Sequence, residues 1–390
     1  MNPLLLLVAL VCLSGSLAGQ VSPQTFGSAG RRAPNSGMFA LSSFYEIADP
    51  LPAGKPGDLI RFDTFDRYEL PFNIIAVRIL YYSLAAQGSK AAASGVVLYP
   101  DGNPPPGGWP VIAWAHPVTG VARTCAPSLM KNLYDGPVLS MYVNMGYAVV
   151  ATDYVGLGTS FRSAFIDAPS NATDVIYAVS AARRAVPQLG TKWVAIGEED
   201  GGAAVLMVAE MESEMGDVGY LGSIAISGAM DLRAELEQLH GEWHDNLAAL
   251  AYGIQSVYPE FRVQDMLTTK AMETYREISQ KCSVPTSLAG ASSKTMLRPK
   301  WEANPYVQKF VQRNTLAEKP ARATLLLIGD ERDSAARNLE ERMCSKGDHI
   351  EVDNYSGVGP ADLMGESASA QSSWIQARFA GRAVPNNCPR

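Results

Sequence analysis

Histidine is scarce in this 390-residue chain, with four, and cysteine nearly so, with five. A site built from many imidazole and thiolate ligands is therefore not expected. No stretch is rich in lysine and arginine, and 39 acidic residues outnumber 32 basic ones to leave a net charge of −7. Such a chain lacks the electrostatic footprint of a nucleic-acid binder. No apolar run is long enough to cross a bilayer, and internal repeats and low-complexity tracts are missing as well. What is present, 47% hydrophobic residues with 34 glycines and 25 prolines, excludes a disordered, collagen-like or coiled-coil chain and supplies a large core. The length suits two or three domains, or one large α/β domain carrying an insertion.

Residues 1–18 read as a secretory signal peptide: a short apolar run from Leu4 to Leu13, then Ser16-Leu17-Ala18 as a small-residue cleavage site, although no Lys or Arg precedes the run. Cleavage there removes Cys12 and leaves Cys125, Cys282, Cys344 and Cys388. In an oxidising compartment four thiols predict two disulfides, with three connectivities open. Asn171 and Asn354 each begin an Asn-x-Ser/Thr tripeptide, the acceptor pattern of a secreted glycoprotein.

Past a Gly-, Ser- and Pro-rich leader ending near residue 40, strand-like and helix-like runs alternate. Short apolar runs at Ile74–Ser83, Ala93–Tyr99, Pro110–His116, Tyr147–Asp153, Trp193–Gly197, Ser223–Ser227 and Thr324–Gly329 predict strands, most of them buried on both faces. Helical patterns fall at Leu133–Met145, Asp174–Val186, Gly202–Met215, Ala335–Cys344 and Ser367–Phe379. This alternation predicts an α/β fold, a mostly parallel sheet with helices on both faces. It breaks over residues 231–320, which read as an inserted helical cap between core segments 19–230 and 321–390. The cap residues Trp243, Tyr252, Met266, Met272, Tyr275 and Trp301 read as its core rather than as ligand contacts.

One turn carries chemistry. In Gly197-Glu198-Glu199-Asp200-Gly201 a buried strand passes into a helix of small residues. The spacing is that of a nucleophile elbow, G-x-S-x-G, with Glu199 in place of the serine. Its side chain would stand above the strand ends, where open α/β sheets bind ligands.

At this point the chain resembles a family, the secretory lipases of fungi of the Candida lipase A type. The resemblance runs from about Phe44 to Cys388. It rests on Tyr81-Tyr82-Ser83, Trp114-Ala115-His116, Cys125-Ala126-Pro127-Ser128, the run Gly146 to Gly158, the elbow, and Trp374 to Gly381. It implies an α/β-hydrolase fold with a helical cap, and it suggests pairing Cys125 with Cys282 and Cys344 with Cys388. It also implies a Ser-His-Asp triad, which this chain matches only in part. The nucleophile position is Glu199. The acid matches Asp333 in Gly329-Asp330-Glu331-Arg332-Asp333. The histidine would follow Tyr355-Ser356-Gly357, where Val358, Gly359 and Pro360 stand. His349 lies about ten residues upstream, ahead of the last strand. The loop matching H-G-x-x-G reads His116-Pro117-Val118-Thr119-Gly120, and Pro117 has no N–H to offer.

A serine hydrolase needs an alkoxide, an imidazole and an orienting acid, so ordinary esterase or lipase activity is not expected. Three readings remain. In the first, Glu199 is a general acid/base, assisted by Asp200 and Asp333, in an isomerase, cyclase or lyase acting on a small apolar molecule, as natural-product pathways require. Burial and the like charges of Glu198 and Asp200 raise a carboxyl pKa there, and the helix N-terminus opposes them. In the second, Glu198-Glu199-Asp200 is an acidic helix start in a pseudoenzyme that binds an apolar ligand or a protein. In the third, Glu199 is a carboxylate nucleophile, a mechanism that needs an absent base to activate water. His116, Thr119, Tyr154 and Glu198 are candidate substrate contacts, although His116 at a strand end reads first as a loop anchor. His240 and His244 share a helical spacing, but Gly241 weakens the helix and no metal is expected. No cofactor is expected either.

Overall fold

The computed structural model describes residues 37–227, 232, 244–280, 282, 293–331 and 333–388. The signal peptide, most of the leader, His240, Trp243 and the side chain of His244 lie outside what is described, so the expectations placed on them are not addressed.

Nine strands form one sheet in the order β1-β2-β3-β5-β4-β6-β7-β8-β9. They are β1 (Leu59–Thr64), β2 (Ile74–Leu84), β3 (Lys90–Pro100), β4 (Trp109–Ala115), β5 (Ala148–Thr152), β6 (Leu189–Glu198), β7 (Tyr220–Ile226), β8 (Thr324–Gly329) and β9 (Ile350–Asn354). The first three pair antiparallel, and β3 meets β5 antiparallel. From β5 through β4 and β6 to β9 every pairing is parallel. The helices are α1 (Gly136–Asn144), α2 (Ala168–Ala185), α3 (Asp200–Met215), α4 (His244–Val257), α5 (Thr269–Ile278), α6 (Pro305–Arg313), α7 (Ser334–Ser345), α8 (Pro360–Glu366) and α9 (Ala368–Phe379).

Both faces of the sheet are covered, which is why its parallel strands read as unbroken apolar runs. Every residue of β5 is buried. On one face α2, α3 and α7 pack through Val179, Val205 and Leu339. On the other, α1, α8 and α9 pack through Leu139, Leu363 and Trp374. Between β7 and β8, helices α4 to α6 build a separate apolar cluster around Leu250, Phe261, Met266 and Phe310. Met266 and Trp301 are buried in that cluster, with Tyr252, Met272 and Tyr275 packed against it.

The structure adds elements that the apolar pattern does not reveal. Strand β1 lies at the sheet edge with half of its residues exposed, and β9 carries Glu351, Asp353 and Asn354; neither has a continuous apolar run to announce it. Helix α2 starts six residues before the expected Asp174. Asp167 caps it by accepting from the Ser170 amide, and Pro169 sits in the first turn, where its missing N–H costs nothing. Helix α1 starts at Gly136 rather than Leu133, because Leu133 and Tyr134 have φ of +53° and +65° and turn the chain first.

Two disulfides are formed, Cys125–Cys282 and Cys344–Cys388, the pairing that the family resemblance suggests. The second closes a 44-residue separation between α7 and the C-terminal segment. Replacing both Cys344 and Cys388 by alanine is expected to lower unfolding stability by about 2–4 kcal/mol, read from a urea titration under non-reducing conditions. An unchanged midpoint would show that the bond constrains nothing.

Candidate functional site

Strand β6 ends at Glu198 and α3 begins at Asp200, so Glu199 alone makes the turn. Its φ of +51° and ψ of −118° are costly for a residue with a side chain. Hydrogen bonds hold it there: its amide donates to the Ile226 carbonyl at 3.0 Å, and its own carbonyl accepts from the Gly202 amide at 2.8 Å. The two flanking glycines are sterically required. A Cβ on Gly197 would lie 2.0 Å from the Gly201 oxygen, and one on Gly201 would lie 2.0 Å from the oxygen of Ala115. The helix therefore starts almost on top of the ends of β4 and β6, and the side chain at the tip of the turn is a half-buried carboxylate.

Asp200, the next residue, is buried. Burial, and then the charges of Asp167 and Glu199, push its carboxyl up to about 7, against a hydrogen bond that favours the anion. That bond comes from Asn171, whose Nδ2 donates to Oδ2 of Asp200 at 2.9 Å. Asp167 has no exposed surface at all. It is matched by Arg313 at the end of α6, which donates from Nε at 2.8 Å and from Nη2 at 3.0 Å. The two neighbouring carboxyls thus have different fates: one faces a guanidinium, the other only an amide.

The remaining candidates divide. His116 is buried, with Nδ1 2.6 Å from the Pro117 carbonyl and Nε2 3.3 Å from the Asp153 carbonyl. Tyr154 lies against its ring at a centroid distance of 4.3 Å and donates its hydroxyl to the His116 carbonyl at 3.1 Å. These two residues anchor each other, so the anchor reading of His116 describes its contacts and the Tyr154 hydroxyl is engaged within the protein. Burial, and then the Asp200 charge, raise the Tyr154 phenol well above its usual range. Glu198 is buried and acts across the other face of the sheet, where it adds to the burial that raises the phenol of Tyr142 in α1. Thr119 is 3% exposed, and its hydroxyl has no hydrogen-bond partner among the described residues.

Asp333 is exposed and caps α7, accepting from the amides of Ala335 and Ala336 at 2.8 and 3.2 Å. The charges that press on Asp200 are Asp167 and Glu199; Asp333 is not among them. His349 precedes β9, and β6 to β9 run parallel, so His349 sits at the amino edge of the sheet while Glu199 sits at the carboxyl edge. Its Nε2 lies 3.1 and 2.9 Å from the carbonyls of Val384 and Pro385. The chain between β9 and α8, Tyr355 to Gly359, contains no histidine.

Asn171 overturns one expectation. It is buried in α2 with its amide committed to Asp200, and a glycan on that nitrogen is incompatible with the packing. Asn354, at the end of β9, is exposed. Sequence reasoning also missed Asp167 and Arg313 as parts of this neighbourhood. The Asp-x-x-Ser start of α2 is a readable capping signal, but nothing local pairs Asp167 with a residue 146 positions away.

Residues 130–387 match the family described as secretory lipase. No curated protein sequence matches the chain. Among solved structures, Candida antarctica lipase A in its closed state aligns over 89% of this chain and 87% of its own, with a TM-score of 0.76 and 15% identity. The rice cell wall degrading esterase LipA from Xanthomonas oryzae, in a ligand-bound form, aligns over 84% of this chain and 98% of its own, with a TM-score of 0.67 and 18% identity. A putative hydrolase from Legionella pneumophila aligns over 84% and 100%, with a TM-score of 0.66 and 18% identity. At these identities the likeness is one of fold.

The buried carboxyls give the protein a pH signature. Burial lifts Asp153 from 3.8 to about 6, and Asp174 and Asp200 from 3.8 to about 7. A carboxyl whose folded pKa is raised binds protons more readily folded than unfolded, so stability falls as pH rises from about 4 to about 7 and then levels off. The thermal midpoint is expected to decline between pH 4 and pH 8. The midpoint of Asp200→Asn should decline less, and its unfolding free energy should exceed that of the wild type at pH 8 by on the order of 1–4 kcal/mol. A wild-type midpoint that rises over this range would contradict the assignment.

Proposed function

The chain belongs to the secretory lipase family, and from that premise we propose that it is a secreted protein that moves protons on a small apolar molecule rather than hydrolysing esters. The observation that carries the reading is the carboxylate at the tip of the strand-to-helix turn. The Gly197-x-Glu199-x-Gly201 spacing matches the turn from which an α/β-hydrolase presents its nucleophile, and burial pushes the carboxyl of Asp200 beside it up to about 7. Glu199 takes a proton from the substrate and returns it at another atom; Asp200 adds a buried, proton-bearing group at its side. Neither step needs an activated water, and that agrees with the residues around the turn. Among the described residues, His116 is engaged with two carbonyls and His349 lies at the opposite edge of the sheet. With no imidazole placed at the turn among the described residues to activate water, an ester formed on Glu199 would persist, so proton transfer is preferred to covalent catalysis. The scaffold is retained and its chemistry replaced; isomerisation, cyclisation and elimination are the reaction types that fit.

The protein isolated from its native host, as wild type and as Glu199→Gln, is expected to differ in what it carries. Mass spectrometry should find a precursor on the glutamine variant only, and conversion of that precursor should fall at least about a hundredfold. The same unchanged ligand on both forms would instead mark a binding protein. Turnover of a short-chain nitrophenyl ester that Glu199→Ala abolishes would overturn the reading outright.

A further inference from the structure

One cavity shares no lining residue with the turn at Glu199, and we infer that it binds a small organic carboxylate through the guanidinium of Arg162. The cavity measures about 470 Å³ and lies in the seam between the sheet and the helical layer. Gln87 and Ser89 of the turn joining β2 to β3 form one wall. Phe161 and Arg162 of the loop after β5 form a second, and Ser256 and Pro259 at the end of α4 form a third. The size suits one small molecule.

The observation is the company that Arg162 keeps. Other arginines of the chain meet carboxylates: Arg78 pairs with Asp63, Arg123 with Glu46 and Arg313 with Asp167. Arg162 is held by neutral groups. Its Nε donates to Ser256 Oγ at 2.8 Å, and its Nη2 donates to Gln255 Oε1 at 2.8 Å and to the Tyr275 hydroxyl at 3.3 Å. The guanidinium also lies 4.5 Å from the centre of the Tyr252 ring. Among the described residues no carboxylate pairs with it, and its Nη1 has no acceptor. The cation is thus tied down at one end by α4 and α5 and carries unused donors at the other.

Both the cation and the walls are fixed before a ligand arrives, which reduces the ordering cost of binding. The Ala85 amide donates to the Ser89 carbonyl at 2.8 Å and closes the turn, and the Gln87 side-chain amide ties that turn to the carbonyls of Ser256 and Val257. A planar, permanently charged donor held in one orientation is suited to a carboxylate. Charge and surface select among anions. Arg162 is the one charged side chain in the lining, so the site neutralises a single negative charge. A phosphate near neutral pH carries more than one and would keep part of it uncompensated. Phe161 and Pro259 offer apolar contact to the body of the molecule that bears the carboxylate.

The test titrates the full protein with benzoate at neutral pH by calorimetry, with benzyl alcohol and inorganic phosphate as comparison probes. The wild type is expected to bind benzoate in preference to both. Arg162→Gln should weaken benzoate at least about tenfold, and Glu199→Gln should leave it unchanged. Ser89→Asp, at an exposed position, should weaken benzoate to a similar degree by adding an anion to the cavity, while leaving in place the contacts of Arg162 with α4 and α5. Thermal midpoints establish that the variants are folded, and if Arg162→Gln does not fold, Ser89→Asp decides. Absence of benzoate binding to the wild type, tighter binding of either comparison probe, or an affinity that the deciding variant leaves intact overturns the inference. So does loss of benzoate binding in Glu199→Gln, which would put the ligand at the turn instead. Proton transfer by Glu199 is judged separately, on the co-purifying ligand.

Discussion

Everything at the site depends on the approach of the first turn of α3 to the end of β4, with the Gly201 main chain lying against the Ala115 carbonyl. That approach requires two residues without side chains and forces the one between β6 and α3 into a left-handed conformation. The strain, on the order of 1–3 kcal/mol, is held by hydrogen bonds to β7 and within α3. Its return is position. The side chain at 199 is carried on a rigid turn at the carboxyl edge of a parallel sheet, beside a helix start whose dipole favours negative charge. Two nearby strands end in the same manner: Tyr154 after β5 and Ser227 after β7, the latter next to β6, also have positive φ, of +65° and +53°. Strands β5, β6 and β7 thus all turn sharply at their carboxyl ends.

A second constraint is electrostatic. Asp167 and Asp200 are both buried. Arg313 reaches Asp167 from α6 and compensates its charge; Asp200 accepts from the Asn171 amide, and burial pushes its carboxyl up to about 7. The helical layer between β7 and β8 therefore does more than cover the sheet edge. It supplies the guanidinium that pairs with the buried carboxyl of Asp167.

The elements that were legible in the sequence are those with a one-dimensional signature. Continuous apolar runs located β2 to β8, the glycine spacing located the turn at Glu199, and the family resemblance suggested the disulfide partners. What stayed hidden has no such signature. Strands β1 and β9 are too polar to announce themselves. The pairing of His116 with Tyr154 joins ends of neighbouring strands, and that of Asp167 with Arg313 joins core to inserted layer; both depend on tertiary placement. Asp333 matches the family acid in position, and what the fold adds is that its exposed carboxyl caps α7.

The dual character of Asn171 bears on how the chain must be made. It lies in an Asn-x-Thr tripeptide, yet folded it is enclosed in α2 with its amide on Asp200. In a compartment that transfers glycans to such tripeptides, the unfolded chain is a substrate and the folded chain is not. Attachment and folding then compete for the same nitrogen atom, and a molecule that loses the race carries a sugar where the partner of Asp200 belongs. Prompt closure of α2 over α3 would thus be a condition of assembling the site at all, and a slow-folding variant would fail through chemistry done to it before it folds, with its own contacts otherwise intact.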